Sequence, residues 1–336
     1  MRTLKLPKLM PIGGNNRMHT ISILESFEKK HLLEPERNIP LDLFIRYYFL
    51  DNKSVAASDR AHIVDYVYAL TSYKLYLSAI SLRPINWSKR LDAFMSNKFD
   101  ENFFNGDIPA YARTSCPEDL WNLLVDAYGE KQAFDLAMVL NERAPLTVRA
   151  NTLKTTRHDL LKAFSDNKLS VEKTEHSPNG IRFIQRPELN FFSMSEYRRG
   201  LFEVQDEGSQ LAAMRIDCKP GDTVLDYCGG AGGKTLAFAP FMHNKGQIFV
   251  HDIRKGVLMQ AQKRFKRAGI TNYQAHSDKV ALWKQLKRKC NWILLDVPCS
   301  GTGTLRRNPD MKWKFSTNRL QELIFVQDQI VKEVIP

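Results

Sequence analysis

Cys299 is the residue whose surroundings point most directly to chemistry. It lies in the segment LLDVPCSGTGTLRRNPDMKW, residues 294–313, where an apolar run reaches Asp296 and is followed by Pro-Cys, a loop of small residues and two arginines. A cysteine acts as a nucleophile through its thiolate, which polar and basic surroundings favour. Most free cysteines are small buried hydrophobes, but Cys299 comes after the apolar run and not within it. We therefore take Cys299 and Asp296 as candidate catalytic residues.

Acidic residues stand at corresponding places along the second half of the chain. Four runs, DTVLDYC, GQIFVHD, NYQAHSD and NWILLDVPCS, are typical of strands, and helical segments separate them. This alternation predicts an α/β fold with a parallel, doubly wound, Rossmann-like sheet. Such sheets bind ligands beyond the carboxyl ends of their strands, near the point where strand order reverses. The acids predicted at that edge are Asp226, Asp252, Asp278 and Asp296.

The turn after the first of these strands, CGGAGGK, fits two nucleotide motifs only in part. A phosphate-binding loop requires G-x-x-x-x-G-K-[ST]; Gly233–Thr235 supplies its end, but Cys228 stands where its first glycine is needed. For a dinucleotide fold the spacing to Asp252 fits, whereas the glycine pattern does not. An acid at this place accepts hydrogen bonds from the ribose of any adenosine cofactor, so Asp252 indicates a nucleoside of unspecified kind.

The charge of the predicted pocket favours a cationic ligand. S-adenosylmethionine carries a positive sulfonium and an α-amino group, which a ring of carboxylates attracts. The same carboxylates would repel a triphosphate. S-adenosylmethionine is therefore the predicted cofactor, with a nucleotide-hydrolysing protein as a weaker alternative.

The remaining sequence predicts two modules ahead of this sheet. Residues 1–140 contain helical runs, among them LDLFIRYYFL, HIVDYVYALTSYKLYLSAISL and PEDLWNLLVDAYG, and are expected to form an all-α module. Residues 141–200 contain LTVRANTL and GIRFI, typical of strands, around a short helix, and are expected to form a small α/β unit. The predicted parts are thus residues 1–140, 141–200 and 201–336.

Composition limits the class of partner and the compartment. A formal charge of +12 and a pI near 9.4 favour a polyanion, with nucleic acid ahead of an anionic membrane surface. The five cysteines show no metal-ligand spacing and are expected to be reduced, so no metal site is predicted. No apolar run approaches the roughly 18 residues of a membrane span, and a cytoplasmic protein is expected. Met1–Leu24 lacks acids, as organellar import sequences do, but its prolines and glycines disfavour the required amphipathic helix.

Several motifs together resemble the Sun/Fmu family of RNA cytosine-5 methyltransferases. They are FEVQDEGSQLAA, LDYCGGAGGKT, IFVHDIRKGVL and LLDVPCSGTGTLRRNPDMKW, within residues 201–313. APLTVRANTLKTTRHDLL is similar to the family's small unit, and the N-terminal helices resemble its NusB-like domain more weakly. Two positions depart from the family pattern: Ala231 replaces a usual proline, and Ser277 a common glycine.

The resemblance implies S-adenosylmethionine as cofactor and RNA, in particular ribosomal RNA, as substrate. The target cytosine has to be single-stranded or flipped out to expose its ring. The implied cofactor-binding residues are Cys228, Gly229, Gly230, Ala231, Gly232, Gly233, Lys234, Asp252, Asp278 and Asp296. The candidate RNA-binding residues are Arg149, Asn151, Arg306 and Arg307, of which Arg149 and Asn151 fit a packing role equally well.

The family's chemistry explains a cysteine beside the cofactor. Addition of a thiolate to carbon 6 of cytosine makes carbon 5 nucleophilic enough to take a methyl group, after which a base removes the carbon 5 proton and the thiol leaves. In the resembled family the Pro-Cys cysteine assists product release, and a Thr-Cys motif on the next strand supplies the nucleophile. No cysteine follows Cys299. We expect a truncated chain with little or no activity alone, completed by a separate C-terminal fragment; a noncatalytic RNA-binding or assembly protein is the alternative.

Overall fold

The structure, a computed structural model, describes residues 9–33, 39–96, 101, 103, 106–185, 191–286 and 289–335, without the side chain of residue 285. The chain forms two compact units. One comprises the described residues up to Ala144 together with Cys299–Val326, and the other comprises Pro145–Pro298 and the described residues from Gln327. This division differs from the three predicted parts, whose boundaries remain a prediction.

The first unit is helical. Its core joins apolar side chains from several helices, including Ile23, Ile63 and Leu77. The continuous helix predicted around residues 62–82 is interrupted at Tyr73, whose backbone leaves the helical region (φ −106°, ψ 20°) and whose ring is buried. Part of the acid-free N-terminal stretch lies outside the described residues, and a helix begins at Gly14. The helices are α1 (Gly14–Leu33), α2 (Leu41–Asp51), α3 (Ala57–Ser72), α4 (Lys74–Ile80), α5 (Trp87–Met95), α6 (Ala110–Arg113), α7 (Glu118–Tyr128) and α8 (Glu130–Asn141).

The segment after Cys299 folds within this helical unit. It forms two short 3₁₀ helices, Thr302–Thr304 and Pro309–Lys314. Leu305 is buried in a cluster that includes Trp121 of α7. The indole N–H of Trp313 donates to the carbonyl of Thr71 at 3.0 Å. The part of the motif that follows Cys299 is therefore held within the helical unit by both apolar and polar contacts.

Lys312, in the second of these 3₁₀ helices, is unusual because its ionisable side chain is buried. Its Nζ donates to the carbonyls of Ser72 (3.1 Å) and Ser115 (3.2 Å) and to the side-chain oxygen of Asn141. Burial lowers the pKa of Lys312 to about 7. Three acceptors match the three donors of an ammonium group, so the site is built for a hydrogen-bonded lysine.

A small antiparallel sheet opens the second unit. Its strands are β1 (Leu146–Ala150), β2 (Val171–Lys173), β3 (Gly180–Phe183) and β4 (Phe202–Val204), in the order β2-β3-β1-β4. The helices around it are α9 (Arg157–Asp166), α10 (Ser195–Arg198) and α11 (Glu207–Ala213). β4 lies beyond residue 200, where the small unit was predicted to end, because Phe202 packs with Phe164 in the core of this sheet.

A four-stranded parallel sheet forms the rest of this unit and confirms the predicted α/β class. Its strands are β5 (Thr223–Asp226), β6 (Gln247–His251), β7 (Tyr273–His276) and β8 (Trp292–Leu294), in the order β7-β6-β5-β8. The helices are α12 (Thr235–Phe238), α13 (Lys255–Ala268) and α14 (Lys279–Leu286), together with the part of α15 (Thr317–Val334) that begins at Gln327. Strand order reverses beside β5, which pairs with both β6 and β8. None of the helices in the described ranges combines the length and apolar character needed to cross a bilayer.

Replacing Lys312 by methionine tests the buried lysine. Lys312→Met keeps an unbranched side chain of nearly the same length but removes the donor to three buried acceptors, so we expect the free energy of unfolding to fall by about 3 kcal/mol. Denaturant titration followed by circular dichroism measures this change. Lys131→Met, at an exposed position of α8, is the control. Equal stability of the two variants would contradict the role given to Lys312.

Candidate functional site

The carboxyl ends of β5, β6 and β8 meet at one edge of the parallel sheet. The chain leaves β5 there through the glycine-rich turn Cys228–Lys234. The amide of Gly229 donates to the carbonyl of His251 at the end of β6 (2.8 Å), and the amide of Tyr227 donates to Leu294 of β8 (3.1 Å). The turn is therefore fixed to both neighbours of β5 where strand order reverses, which is where doubly wound sheets bind ligands.

Asp226 ends β5 with a buried carboxyl group. One oxygen, Oδ2, accepts the hydroxyl of Thr235 at 2.6 Å, whereas Oδ1 is buried without a hydrogen-bond partner. Burial raises the pKa of Asp226 to about 6; the carboxylates of Asp296 and Asp252 act in the same direction, against the Thr235 bond and Lys234. An unpartnered buried acceptor beside the turn fits a site that accepts a donor or a cation from a ligand.

Glycines allow the turn to lie against the sheet and α13. A Cβ at Gly229 would come within 2.5 Å of Val250, and one at Gly232 within 2.5 Å of the ring of Phe265. Gly230 and Gly232 also have positive φ angles, 52° and 77°, which other residues rarely adopt. The structure thus gives the glycines a conformational role as well as a place in the predicted cofactor site.

The carboxylate of Asp252, directly after β6, accepts four hydrogen bonds. Oδ2 accepts the amide of Gly230 (3.0 Å) and the Arg254 guanidinium (2.8 Å), while Oδ1 accepts the Arg254 amide and Nε, both at 2.9 Å. The hydrogen bonds from Arg254 hold the pKa of this carboxyl below its usual range. A ribose bound to Asp252 would compete with Arg254, whose side chain is largely exposed.

The other predicted pocket residues lie at the same edge of the sheet or close to it. Lys234 forms an ion pair with Asp296, which follows β8. The thiol of Cys228 is half-buried, and burial together with the nearby carboxylates raises its pKa to about 11. Asp278 is exposed after β7, and its Oδ1 accepts the amide of Val280 at 2.8 Å at the start of α14. The structure thus brings Asp226, Asp252 and Asp296 around the turn and gives Asp278 a helix-capping contact.

The candidate catalytic cysteine and the two arginines after it belong to the helical unit. Cys299 is exposed. Arg306 donates to the carbonyl of Arg143 (3.0 Å) and pairs with Glu142 (3.3 Å). Arg307 is partly buried, and its amide donates to Thr304. A role of the arginines in RNA binding stays a prediction.

Arg149 and Asn151 have the packing role that the sequence left open. Both are buried. The amide group of Asn151 donates to the carbonyls of Gly200 and Ala268, each at 2.8 Å. Arg149 donates to the side chain of Gln205 at 2.5 Å. Neither side chain is accessible to an RNA phosphate in this conformation, and the predicted contact with RNA remains untested.

The polar side chains that contact the turn Cys228–Lys234 from other elements were not predicted from the sequence. Gln205 and Glu203 come from β4 and the residues after it, and Arg264 comes from α13. The motif FEVQDEGSQ, which contains the first two, was the available signal. Their bonds depend on the contact between two sheets, which sequence spacing does not reveal.

A cavity of about 630 Å³ lies in the helical unit. Among its lining residues are Lys74, paired with Glu28, and Lys314, paired with Asp310. These charges already neutralise each other. The cavity therefore gives no indication of a particular ligand.

The edge of the parallel sheet fits S-adenosylmethionine. The amide of Gly230, which donates to Asp252, lies at this edge beside the carboxylates, and the buried Oδ1 of Asp226 lacks a partner among the described residues. Ile253, between Asp252 and Arg254, exposes 81% of its surface and offers an apolar face beside the predicted ribose site. Donors, carboxylates and an apolar face suit the amino, ribose and adenine parts of this molecule.

Replacing Asp226 by asparagine tests the buried charge. The folded-state pKa of about 6 lies above the ordinary 3.8, so the folded protein binds more protons across this window and wild-type stability falls as pH rises through it. Asp226→Asn keeps an acceptor for Thr235 and removes the charge. We expect it to lack this fall and to gain up to about 3 kcal/mol at about pH 8 without ligand.

Urea unfolding between about pH 4 and about pH 8 measures this difference. Asp217→Asn, at an exposed acid ahead of β5, is the control and should follow the wild-type curve. A wild-type and an Asp226→Asn curve of the same shape would contradict the raised pKa of Asp226.

Comparison with known protein families matches two parts of the chain. Residues 213–336 match the family described as 16S rRNA methyltransferase RsmB/F, and residues 116–189 match the RsmF/B-like ferredoxin-like domain. The probable ribosomal RNA small subunit methyltransferase B of Bacillus subtilis is 30% identical over 225 residues, which are 66% of this chain and 50% of that protein. The 26S rRNA (cytosine-C(5))-methyltransferase nsun-1 of Caenorhabditis elegans is 28% identical over 188 residues, 56% of this chain and 28% of that protein.

Solved structures share the fold. The crystal structure of PH0851 superposes with a TM-score of 0.75 at 19% identity, covering 97% of this chain and 83% of that one. NSun6 from Pyrococcus horikoshii, solved with SFG, an S-adenosylmethionine analogue, gives a TM-score of 0.50 at 19% identity, covering 55% and 71%.

The chain spans about half the length of curated relatives such as the Bacillus subtilis protein. The match over residues 116–189 includes β1 to β3, and the match over residues 213–336 includes the parallel sheet, the turn Cys228–Lys234 and Cys299. Residues 116–189 and 213–336 thus match domains of the RsmB/F methyltransferases, as the resemblance to the Sun/Fmu family implied.

Proposed function

We propose that this chain binds S-adenosylmethionine at the edge of its parallel sheet and serves methyl transfer to carbon 5 of cytosine in RNA. The observation that carries the proposal is the meeting of three carboxylates, those of Asp226, Asp252 and Asp296, around the turn Cys228–Lys234. Among the described residues, Lys234 pairs with Asp296 and Arg254 pairs with Asp252. A bound sulfonium with an α-amino group adds positive charge to this site, whereas a triphosphate would meet repulsion.

Each residue of the site has a defined part in this proposal. Asp252 accepts the ribose hydroxyls once Arg254 moves aside, and Ile253 packs against the adenine. Asp226 and Asp296 balance the positive charge of the methionine part. When bound, S-adenosylmethionine supplies an electrophilic methyl group; the protein's contribution is to hold it beside the acceptor.

The RNA part of the proposal rests on similarity to RNA methyltransferases and on charge. Two relatives are named as ribosomal RNA methyltransferases, one of them specific for cytosine carbon 5. The net charge of +12 favours a polyanionic substrate. Cys299 provides an exposed thiol three residues after Asp296, for covalent handling of the cytosine ring or release of the product. A cytoplasmic location belongs to the same proposal.

Calorimetric titration with S-adenosylmethionine tests the cofactor site. Asp252→Ala removes the acceptor for the ribose hydroxyls, so we expect the dissociation constant to rise about tenfold or more. Asp217→Ala removes an exposed acid ahead of β5 and should bind like the wild type. The same affinity in Asp252→Ala and wild type would contradict the assigned ribose contact, and no binding by folded wild type would refute the cofactor proposal.

Alkylation of thiols tests the place of Cys299. At about pH 7.5 iodoacetamide should modify Cys299 first, because it is exposed, whereas burial raises the pKa of Cys116 and of Cys218 to about 11. Mass spectrometry of digested protein follows each site, and Cys299→Ser should lack the fast reaction.

The same reaction reports on RNA. A single-stranded RNA that contains cytosine should slow the alkylation of Cys299 if the base binds beside this thiol. An oligonucleotide of equal length without cytosine is the control. An unchanged rate at saturating RNA would contradict the placement of Cys299 at the substrate.

A further inference from the structure

Two side-chain arms from the small sheet reach the glycine-rich turn. Both start at or just after β4 and both end on main-chain carbonyls, those of Gly233 and Ala231. All the residues involved belong to the second unit. The predicted site residues include the two carbonyl groups but none of the side chains that hold them.

The first arm is Gln205. Its main chain is fixed to β1, because its amide donates to the carbonyl of Thr147 (3.2 Å) and its carbonyl accepts the Thr147 hydroxyl (2.7 Å). Its side-chain oxygen accepts the Arg149 guanidinium (2.5 Å), and its side-chain nitrogen donates to the carbonyl of Gly233 (3.0 Å). The two ends of one amide group thus connect the small sheet to the turn.

The second arm is the pair Glu203 and Arg264. The buried carboxylate of Glu203 accepts Arg264 at 3.0 Å and also pairs with Arg267. A second nitrogen of Arg264 donates to the carbonyl of Ala231 at 2.6 Å. Arg267 lies over the ring of Tyr197, 3.8 Å from its centroid. The carboxylate on β4 therefore orients the guanidinium that holds the turn.

Arg149 fixes the orientation of the first arm. It is buried, and burial lowers its pKa to about 10. It only donates, so the oxygen of the Gln205 amide must face it and the nitrogen must face Gly233. A buried arginine beside Gln205 therefore explains which end of this amide points to the turn.

We propose that Gln205 and Arg264 are positioning residues for cofactor binding. A peptide group is planar, so holding the carbonyls of Ala231 and Gly233 also sets the direction of the Lys234 amide and supports that of the Gly232 amide, which donates to the carbonyl of Gly229 (2.8 Å). Preorganised main-chain groups bind a ligand more tightly than groups that must be ordered on binding. Arg149 acts indirectly, because it orients the side-chain amide of Gln205. The inference rests on the proposed function, since it takes the ligand of the turn to be S-adenosylmethionine.

Gln205→Glu separates positioning from stability. The new carboxylate still accepts Arg149 and gives this buried guanidinium a charged partner, so the melting temperature should stay equal or rise. It has no donor for Gly233 and places an acceptor against that carbonyl. We expect the dissociation constant for S-adenosylmethionine to rise about tenfold. In the absence of cofactor, the amides of Gly232 and Lys234 should exchange with solvent faster than in the wild type.

The control is the same substitution elsewhere in the unit. Gln247→Glu, at the first residue of β6, also removes side-chain donation to main-chain carbonyls, those of Ile248 and Asn272. It lies at the opposite end of the parallel sheet, so it should change neither exchange in the turn nor cofactor affinity. If Gln205→Glu fails to fold, Gln205→Met removes the donor without a charge, and the same rise in dissociation constant is expected.

Two outcomes decide the inference. Weaker binding and faster exchange in the turn, without loss of melting temperature, would support it. Unchanged affinity and exchange in a folded Gln205 variant would overturn it. If the wild type binds no S-adenosylmethionine, the proposed function fails, and the exchange rates measured without cofactor still decide whether Gln205 orders the turn.

Discussion

The buried carboxyl group of Asp226 is the constraint on which the edge of the parallel sheet beside the turn Cys228–Lys234 depends. It ends the strand beside which strand order reverses, and in the part of the chain that the structure describes its hydrogen-bond partner is Thr235. A buried, incompletely satisfied carboxyl group is costly to ionise, as its pKa of about 6 shows. The rest of the fold has to offset the free-energy cost of such a group, and a bound ligand can supply the missing hydrogen-bond partner. The turn, the ion pair of Lys234 with Asp296 and the bonds on Asp252 all surround this one position.

Polar side chains inside each unit hold the loops that carry chemistry. In the second unit, Gln205 and Arg264 hold the turn beside Asp226. In the helical unit, Lys312 holds the segment that follows Cys299 through three buried acceptors. Loops have few apolar contacts of their own, so fixed polar contacts from a rigid neighbour are an effective way to define their shape.

The sequence predicted the parallel sheet and its acids well, because apolar strands and strand-end residues are local signals. All four strands were found, and Asp226, Asp252 and Asp296 meet as expected. The sequence did not predict the bonds of Arg254 on Asp252, the burial of Arg149 or the role of Gln205. These depend on side-chain orientation and on contact between β1, β4 and the turn. The break at Tyr73 and the pairing of β4 with β1 were not predicted; an aromatic ring is buried at each place, that of Tyr73 and that of Phe202, and such tertiary packing is not a local signal.

The most direct test of the central claim is a nuclear magnetic resonance titration of isotope-labelled protein, following the amides of Gly230 and Gly232. We expect S-adenosylmethionine to shift both resonances in a saturable manner and ATP at the same concentration to leave them unchanged, because the carboxylates around the turn attract a cation and repel a triphosphate. Shifts caused by ATP, or resonances that S-adenosylmethionine leaves in place, would contradict it.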